Sequence, residues 1–347
     1  MRGGPDAADP ATDLAADPAT AFMRRLGGKW IVQALATAAE LGLAEALEQP
    51  KDLHTLATEL GCDSGALLRL LMVLGGEGLV EQLPDGRHVL TSLGTPMRRD
   101  ALGTLAMFVG SPSQWTPWLA LTHAVRTGNS AFEQVYGQPL FEYLEHHPAE
   151  ARLYDSAVDA YTTRQAHVLA GLDVLDGVTS LVDVGGGRGT LLMELLRLRP
   201  TLRGILVDRP HVVEAARGRF LEAGLADRCE LVGGDFFESV PTAADAYILK
   251  HVVHNWDDER ATSLLRRCAD ALAPGGRVFV VEGLLLPGNR PDATRLFDLE
   301  MLVLTGGGKE RSKPEMRRLL ARAGLRLTQT LALHESAWLM VAERRHG

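Results

Sequence analysis

A glycine-rich turn at residues 183–189 constrains the fold of this chain more than any other feature, and its sequence is DVGGGRG. The apolar run at 179–182 before it indicates a buried strand, and the apolar residues at 191–196 after it indicate a helix. Glycines between a parallel strand and a helix let a nucleotide-like ligand approach the backbone closely. The turn therefore predicts an α/β domain with a ligand site at the end of this strand.

The spacing of these glycines favours one class of nucleotide over another. A dinucleotide-binding turn has its third glycine at the position that Thr190 occupies in this chain. A turn that packs against adenosine without cradling a pyrophosphate suits S-adenosylmethionine (SAM) better than NAD. A purely structural glycine turn in an α/β fold is the alternative interpretation.

Length and composition exclude several classes of protein. The chain has 347 residues, which is room for two domains, and its 46% hydrophobic and 23% charged residues are typical of soluble globular proteins. A net charge of -8 argues against broad binding to nucleic-acid phosphates. No apolar run reaches the roughly 18 residues of a membrane span. Residues 1–20 lack the apolar segment of a secretory signal, so we expect a disordered tail there. The three cysteines show no disulfide or metal spacing, so we expect a cytoplasmic protein.

The first third of the chain predicts helices followed by a β-hairpin. Apolar residues have helical spacing from Trp30 to Leu47, and shorter helices are predicted at Leu53–Leu60 and Gly65–Leu74. Strands at 79–83 and 87–91 flank a Pro-Asp-Gly turn. This order of elements is a winged-helix pattern.

Winged helices often bind DNA, but the residues of this one favour dimerisation. The helix that would enter the major groove, at 66–74, offers one cation, Arg69, and is otherwise mostly apolar. A reader of base edges needs several Arg, Lys, Asn or Gln side chains on one face. Farther on, residues 101–171 are predicted to be helical and broken, and their many aromatic side chains fit either a core or the wall of a pocket for a flat substrate.

Beyond Val178, predicted strands and helices alternate, as in βαβ units with a parallel sheet and helices on both faces. The predicted strands lie at 181–184, 204–207, 229–232, 246–249 and 277–282, and the predicted helices lie at 190–198, 211–223, 258–272 and 313–323. Two late strands, at 326–333 and 337–343, are predicted to form an antiparallel edge. Ligands of such sheets bind beyond the carboxyl ends of the strands.

Three side chains near these strand ends fit the binding of adenosine. Asp208 ends the second strand, about 20 residues after the glycine turn, where a carboxylate accepts hydrogen bonds from ribose hydroxyls. Asp235 and Phe236 follow the third strand, and they could bind the adenine amino group and stack on the purine. Each alone fits a helix cap or a core position; together with the glycines they favour a ligand site.

A histidine follows the fourth strand, where the reactive end of such a ligand would lie. An imidazole with a pKa near 6.5 is suited to accept a proton at neutral pH, so His254 is a candidate general base. Glu282 ends the next strand, and Glu310 lies in a glycine-rich loop. A carboxylate on one ring nitrogen would fix the tautomer and stabilise the imidazolium. The sequence leaves open whether these three side chains meet.

The chain resembles the SAM-dependent small-molecule O-methyltransferases, which include plant caffeic-acid-type enzymes and bacterial tailoring enzymes for aromatic natural products. The resemblance extends from about Ala21 to Glu343. It is carried by LVDVGGG at 181–187, GDFF at 234–237, LK at 249–250 with HNWDD at 254–258, APGG at 273–276 and GGKER at 307–311.

The resemblance implies a class I methyltransferase (Rossmann-like) sheet with a mainly helical N-terminal winged-helix domain that forms a homodimer. The implied division is a winged-helix domain at 21–105, a helical connector with the substrate pocket at 106–172, and a SAM-binding domain at 173–347. SAM is the implied cofactor and no metal is implied. The implied acceptor is an aromatic small molecule, in particular a bacterial polyketide-type ring, and no nucleic acid or membrane partner is implied.

The family also implies roles for individual residues. The implied cofactor-binding residues are Gly185, Gly187, Asp208, Asp235, Phe236, Lys250 and Thr162. The general base would be His254, flanked by Glu282 and Glu310, and the residues implied to line the acceptor pocket are Asn255, Met301, Val158 and Thr305.

One residue departs from the family pattern, which usually has Asp directly after the catalytic histidine. This chain has Asn255, which can hydrogen-bond a substrate oxygen but carries no charge. Some family members have lost the base and perform other reactions. Two alternatives therefore stay open: an enzyme of the same scaffold that hydroxylates or decarboxylates, and a winged-helix regulator that senses a ligand.

Overall fold

The computed structural model describes residues 17–289, 291–334 and 336–345. The chain divides into two compact units, with the boundary between Gln114 and Trp115. Of the tail predicted at 1–20, residues 1–16 lie outside the described residues, and a helix begins at Pro18. The connector predicted at 106–172 contains the boundary between the two units.

The first unit is mainly helical. Its helices are α1 (Pro18–Leu26), α2 (Gly28–Leu41), α3 (Leu43–Ala46), α4 (Leu53–Leu60), α5 (Ser64–Gly76) and α6 (Gly103–Val109), and its hairpin consists of β1 (Val80–Gln82) and β2 (His88–Leu90). The predicted hairpin is confirmed, because β1 and β2 pair antiparallel. The single helix predicted from Trp30 to Leu47 is wrong, since Gly42 ends α2 in the left-handed conformation with a φ of 73°.

Helix α7 (Pro112–Leu119) contains the boundary between the units, and the second unit continues as an α/β domain. Its helices are α8 (Leu121–Thr127), α9 (Ala131–Tyr136), α10 (Leu140–His146), α11 (Pro148–Ala170), α12 (Thr190–Leu198), α13 (Pro210–Glu222), α14 (Asp258–Ala271), α15 (Ala293–Leu304) and α16 (Lys313–Arg322). Its strands are β3 (Ser180–Val184), β4 (Arg203–Asp208), β5 (Cys229–Gly233), β6 (Ala244–Lys250), β7 (Leu272–Glu282), β8 (Leu325–His334) and β9 (Ala337–Arg344).

The seven strands form one sheet in the order β5-β4-β3-β6-β7-β9-β8. The first five pair in parallel, and β9 pairs antiparallel with both β7 and β8, which confirms the predicted antiparallel edge. Strand β3 is the point at which the order of the strands reverses. Loops that follow β3 and β6 therefore diverge to opposite faces and leave a crevice at their carboxyl ends.

Both faces of the sheet are covered by helices, because side chains of successive strand residues point to opposite faces. Val182 packs with residues of α14 and α16, whereas Leu181 packs with residues of α11, α12 and α13. The predicted fold class is confirmed. Helix α15 was not predicted; it carries Met301, and Thr305 directly follows it, and both were expected in the acceptor pocket. No helix among the described residues is long and apolar enough to cross a membrane.

Candidate active site

The glycine turn after β3 requires glycine for two physical reasons. Gly185 and Gly187 have φ values of 69° and 58°, which is the left-handed region that side chains rarely occupy. A Cβ at Gly185 would also lie 2.9 Å from Val252 Cγ2 and 3.5 Å from Phe236 Cε1. At Gly187 a Cβ would meet no atom within 4 Å, so the turn leaves open space beside its backbone. The structure thus places Phe236 next to the turn.

Asp208, at the end of β4, accepts a hydrogen bond from the backbone of this turn. Its Oδ2 accepts a hydrogen bond from Gly187 N at 2.8 Å, and its Oδ1 accepts one from Arg209 N at 2.7 Å. Burial raises the pKa of Asp208, although these two N–H donors oppose the shift. Each carboxylate oxygen keeps a further acceptor site for a ribose hydroxyl.

Lys250 and Thr162 meet beside β3. Lys250 Nζ donates to Thr162 Oγ1 at 2.9 Å and lies 4.5 Å from the centre of the Tyr161 ring. Thr162 Oγ1 in turn donates to the carbonyl of Val158 at 2.6 Å, so α11 brings two side chains, Tyr161 and Thr162, to Lys250. Burial lowers the pKa of Lys250 to about 8, and the charge of Asp183 is the main opposing influence.

These groups fit SAM chemically. The open backbone at Gly187 and the carboxylate of Asp208 suit a nucleoside, and the ammonium of Lys250 suits a carboxylate. Asp235 follows β5, but its Oδ1 accepts a hydrogen bond from Phe237 N at 2.7 Å, which is a local turn contact. The other oxygen of this carboxylate, Oδ2, keeps its acceptor sites for an adenine amino group.

His254, Glu282 and Glu310 lie together. His254 Nδ1 is 2.7 Å from Glu310 Oε1 and 3.3 Å from Glu282 Oε2. The side chains of the two acids are 3% and 1% exposed, and that of His254 is 13% exposed. Burial alone would lower the pKa of His254, but the charges of Glu282 and Glu310 outweigh burial and raise the pKa to about 9.

The second ring nitrogen of His254, Nε2, is available as a hydrogen-bond acceptor. Because the nearby carboxylate of Glu310 fixes the proton on Nδ1, the neutral ring presents Nε2 as its acceptor. No group in the described part of the chain forms a hydrogen bond with Nε2. His251, His254 and Glu282 also have ligand-type atoms within 4.8 Å of one another, but Glu310 already holds the position that a metal ion on His254 Nδ1 would take.

The backbone that carries His254 is held by an acid and not by its own side chain. Glu282 Oε1 accepts hydrogen bonds from the N–H groups of Val252, Val253 and His254, at 3.1, 2.8 and 3.2 Å. Burial raises the pKa of Glu282, although the charge of His254 and these N–H groups oppose the shift. Glu282 thus fixes the loop with one oxygen and approaches the imidazole with the other.

The residues predicted to line the acceptor pocket are placed on two elements and one loop. Met301 lies on α15 and Thr305 directly follows it; both are buried, and Thr305 Oγ1 donates to Met301 O at 2.7 Å. Asn255 Nδ2 donates to the carbonyl of His251 at 3.1 Å, which leaves its Oδ1 for another partner. Among the described residues, no hydrogen bond links Val158 to any of these three side chains.

Most aromatic side chains of the segment before β3 pack on one another. The rings of Phe132, Tyr136 and Tyr143 lie 4.7–5.3 Å apart, and Phe132 is fully buried. Tyr161 is different, because its ring lies 5.3 Å from that of His251, which is near His254. The core interpretation therefore holds for the cluster at 132–143, and Tyr161 reaches the site.

Sequence reasoning missed Arg311, which is 1% exposed. Its guanidinium donates to Asp258 Oδ1 at 2.9 Å and to the carbonyls of Val253 and Trp256 at 3.2 and 2.8 Å. Arg311 therefore links the loop that carries His254 to the loop that carries Glu310. A signal existed, since Arg311 directly follows Glu310 in the GGKER motif.

Comparison with known proteins identifies the family of this chain. Residues 118–326 match the model of the O-methyltransferase domain, and residues 23–95 match that of the O-methyltransferase dimerisation domain. The mitomycin biosynthesis 6-O-methyltransferase of Streptomyces lavendulae is 38% identical over 88% of each chain. The phenazine O-methyltransferase PhzM of Lysobacter antibioticus is 36% identical over 89% of this chain and 92% of its own.

A solved structure shows the same fold and a cofactor product. CalO1, a methyltransferase in calicheamicin biosynthesis solved with SAH bound, superposes with a TM-score of 0.83 at 29% identity, over 98% of this chain and 100% of its own. The dimerisation-domain match supports the expected homodimer. The chain therefore belongs to the SAM-dependent O-methyltransferases, with a dimerisation domain before the catalytic domain.

Proposed function

We propose that this enzyme methylates a hydroxyl group on the aromatic ring of a natural product, with polyketide-type rings as the first choice, and that His254 is the general base. The observation that carries the proposal is the state of the imidazole: Nδ1 lies 2.7 Å from Glu310, and Nε2 bonds to no described group. The relatives named for mitomycin and phenazine methylation support an aromatic acceptor.

The chemistry assigns a separate task to each group. SAM, when bound, supplies a methyl group on a positively charged sulfur. A phenol has a pKa near 10, so at neutral pH its oxygen is a weak nucleophile until its proton is removed. His254 Nε2 accepts this proton as the oxygen–carbon bond forms, and general-base help of this kind contributes about 10²–10⁴-fold. Glu282 and Glu310 stabilise the imidazolium until its proton passes to water.

Transfer of a methyl group to a free hydroxyl tests the proposal directly. The enzyme is incubated with methyl-labelled SAM and a panel of hydroxylated aromatic compounds, each paired with its own methyl ether as a control. We expect a mass gain of one methyl group on hydroxylated members and none on the ethers. A panel that includes phenols, naphthols and phenazinols without any labelled product would contradict the proposal.

Turnover is expected to rise with pH. The pKa of His254 is raised to about 9, and a general base works only when it is neutral, so the active fraction grows as the pH approaches 9. The measurement is kcat/KM from pH 6 to 10. Glu310→Gln removes one of the two charges that raise this pKa, so its rate profile should rise at a lower pH than that of the wild type. A profile that is the same in both enzymes would count against His254 as the titrating base.

A further inference from the structure

His251 lies between the cofactor end and the base end of the site. It directly follows β6, and its φ of 52° is in the left-handed region, which is uncommon for residues other than glycine. Its N–H donates to Val281 O at 2.9 Å, and its carbonyl accepts from Asn255 Nδ2 at 3.1 Å. Both backbone groups are thus bonded, and together they hold the residue in this unusual conformation.

The conformation aims the ring of His251 at the acid that supports the base. His251 Nδ1 lies 3.6 Å from Glu282 Oε2, the same oxygen that lies 3.3 Å from His254 Nδ1. The two imidazole centres are 5.2 Å apart, and the ring of Tyr161 lies 5.3 Å from that of His251. One carboxylate oxygen therefore stands between two imidazoles.

Two carboxylates lie within reach of Nδ1 of His254. Its Nδ1 hydrogen can point to Glu310 Oε1 or to Glu282 Oε2, and the direction it takes turns the ring and therefore Nε2. At 3.6 Å the Nδ1–H of His251 is too far from Glu282 Oε2 for a hydrogen bond, but its positive end still weakens the attraction of that oxygen for the proton of His254. The other charged or titratable groups that face this pair are Lys250, Tyr161, Glu310 and Arg311.

We propose that His251 is a positioning residue that shares Glu282 with His254 and thereby keeps the base imidazole directed to Glu310. This inference rests on the proposed role of His254 as general base. His251 touches neither reacting atom in this scheme; it acts through the carboxylate. Loss of its N–H should leave Glu282 free to draw the His254 proton, which turns the base away from its working direction and makes it harder to deprotonate.

Two substitutions separate the N–H of His251 from the bulk of its ring. His251→Asn keeps a donor at the δ position and tolerates the left-handed conformation, whereas His251→Phe keeps a ring without a donor. We expect His251→Phe to lower kcat about 10-fold, to leave KM for SAM within about 2-fold and to move the rise of the rate profile to higher pH. His251→Asn should recover most of kcat. His146→Phe, an exposed histidine on α10, is the matched control.

A second readout needs no turnover. Titration of isotope-labelled histidines by NMR, on the protein without SAM, should show His254 deprotonating at higher pH in His251→Phe than in the wild type or His251→Asn. Equal behaviour of the Phe and Asn variants, or a wild-type rate profile and titration in His251→Phe, would overturn the inference. His254→Gln in the same assays keeps the two proposals apart: if it retains turnover, the base assignment fails, and if only His251→Phe is normal, the sharing of Glu282 fails.

Discussion

Replacing His254 with Gln is expected to lower kcat by about 10²–10⁴-fold, the range typical of a lost general base. Glutamine fills much of the same volume but cannot accept a proton at neutral pH. The loop should keep its shape, because Glu282 Oε1 binds three backbone N–H groups there and none of these bonds involves the imidazole. The loss should therefore appear in kcat, with the Kd for SAM within about 2-fold of the wild type.

The measurement combines single-turnover rates with calorimetric titration of SAM. His146→Gln, on the exposed side of α10, controls for the loss of a histidine from the same unit. A variant at position 254 that turns over at the wild-type rate would exclude His254 from the chemistry. A variant that fails to bind SAM would show that the imidazole supports the fold of the site, which is the opposite of what the bonds of Glu282 lead us to expect.

Replacing Asp208 with Asn is expected to weaken SAM binding by about 10–100-fold, since a hydrogen bond to a charged group is worth about 1.5–3 kcal/mol. The amide has one oxygen where the carboxylate has two. In either orientation its NH₂ group faces a backbone N–H, either that of Gly187 or that of Arg209, so the turn loses an acceptor as well as the charge. We therefore expect the substitution to weaken the proposed contact with the ribose and to distort the glycine turn.

Calorimetry and the SAM dependence of turnover measure this effect. Because the proposed base, His254, is a different residue, kcat at saturating SAM should stay within about 3-fold of the wild type, and the loss should appear in KM. Asp227→Asn, an exposed acid in the turn before β5, is the control. Wild-type affinity for SAM in Asp208→Asn would remove Asp208 from the cofactor site.

The α/β domain could be predicted because its apolar runs are short, bounded by glycines and separated by helical patterns. The pairing of Lys250 with Val281 follows from parallel neighbours β6 and β7, so the closeness of Glu282 to the loop after β6 was within reach. The position of Glu310 was not, because about 27 residues separate it from Glu282 and only the folded loop brings it to His254.

Two further features could not be predicted from the sequence for local reasons. The end of α2 at Gly42 could not be predicted, because apolar residues continue with helical spacing on both sides of it. An isolated glycine is only a weak sign of a helix end. The sequence gives no sign of a role for His251, because a histidine three residues before the candidate base belongs to no recognisable motif. The role proposed for His251 depends on its backbone angle and on its distance from an oxygen of Glu282, and a sequence shows neither.

Glu282 fixes the backbone of the loop after β6 independently of the side chain at position 254. Its inner oxygen secures three successive peptide groups whatever side chain position 254 bears. An evolving lineage could accordingly exchange the imidazole for another group in one mutational step and still inherit an intact cleft. Diversification of this scaffold toward new reactions would then begin at position 254, whereas changes at position 282 would be purged because they would dismantle the loop itself.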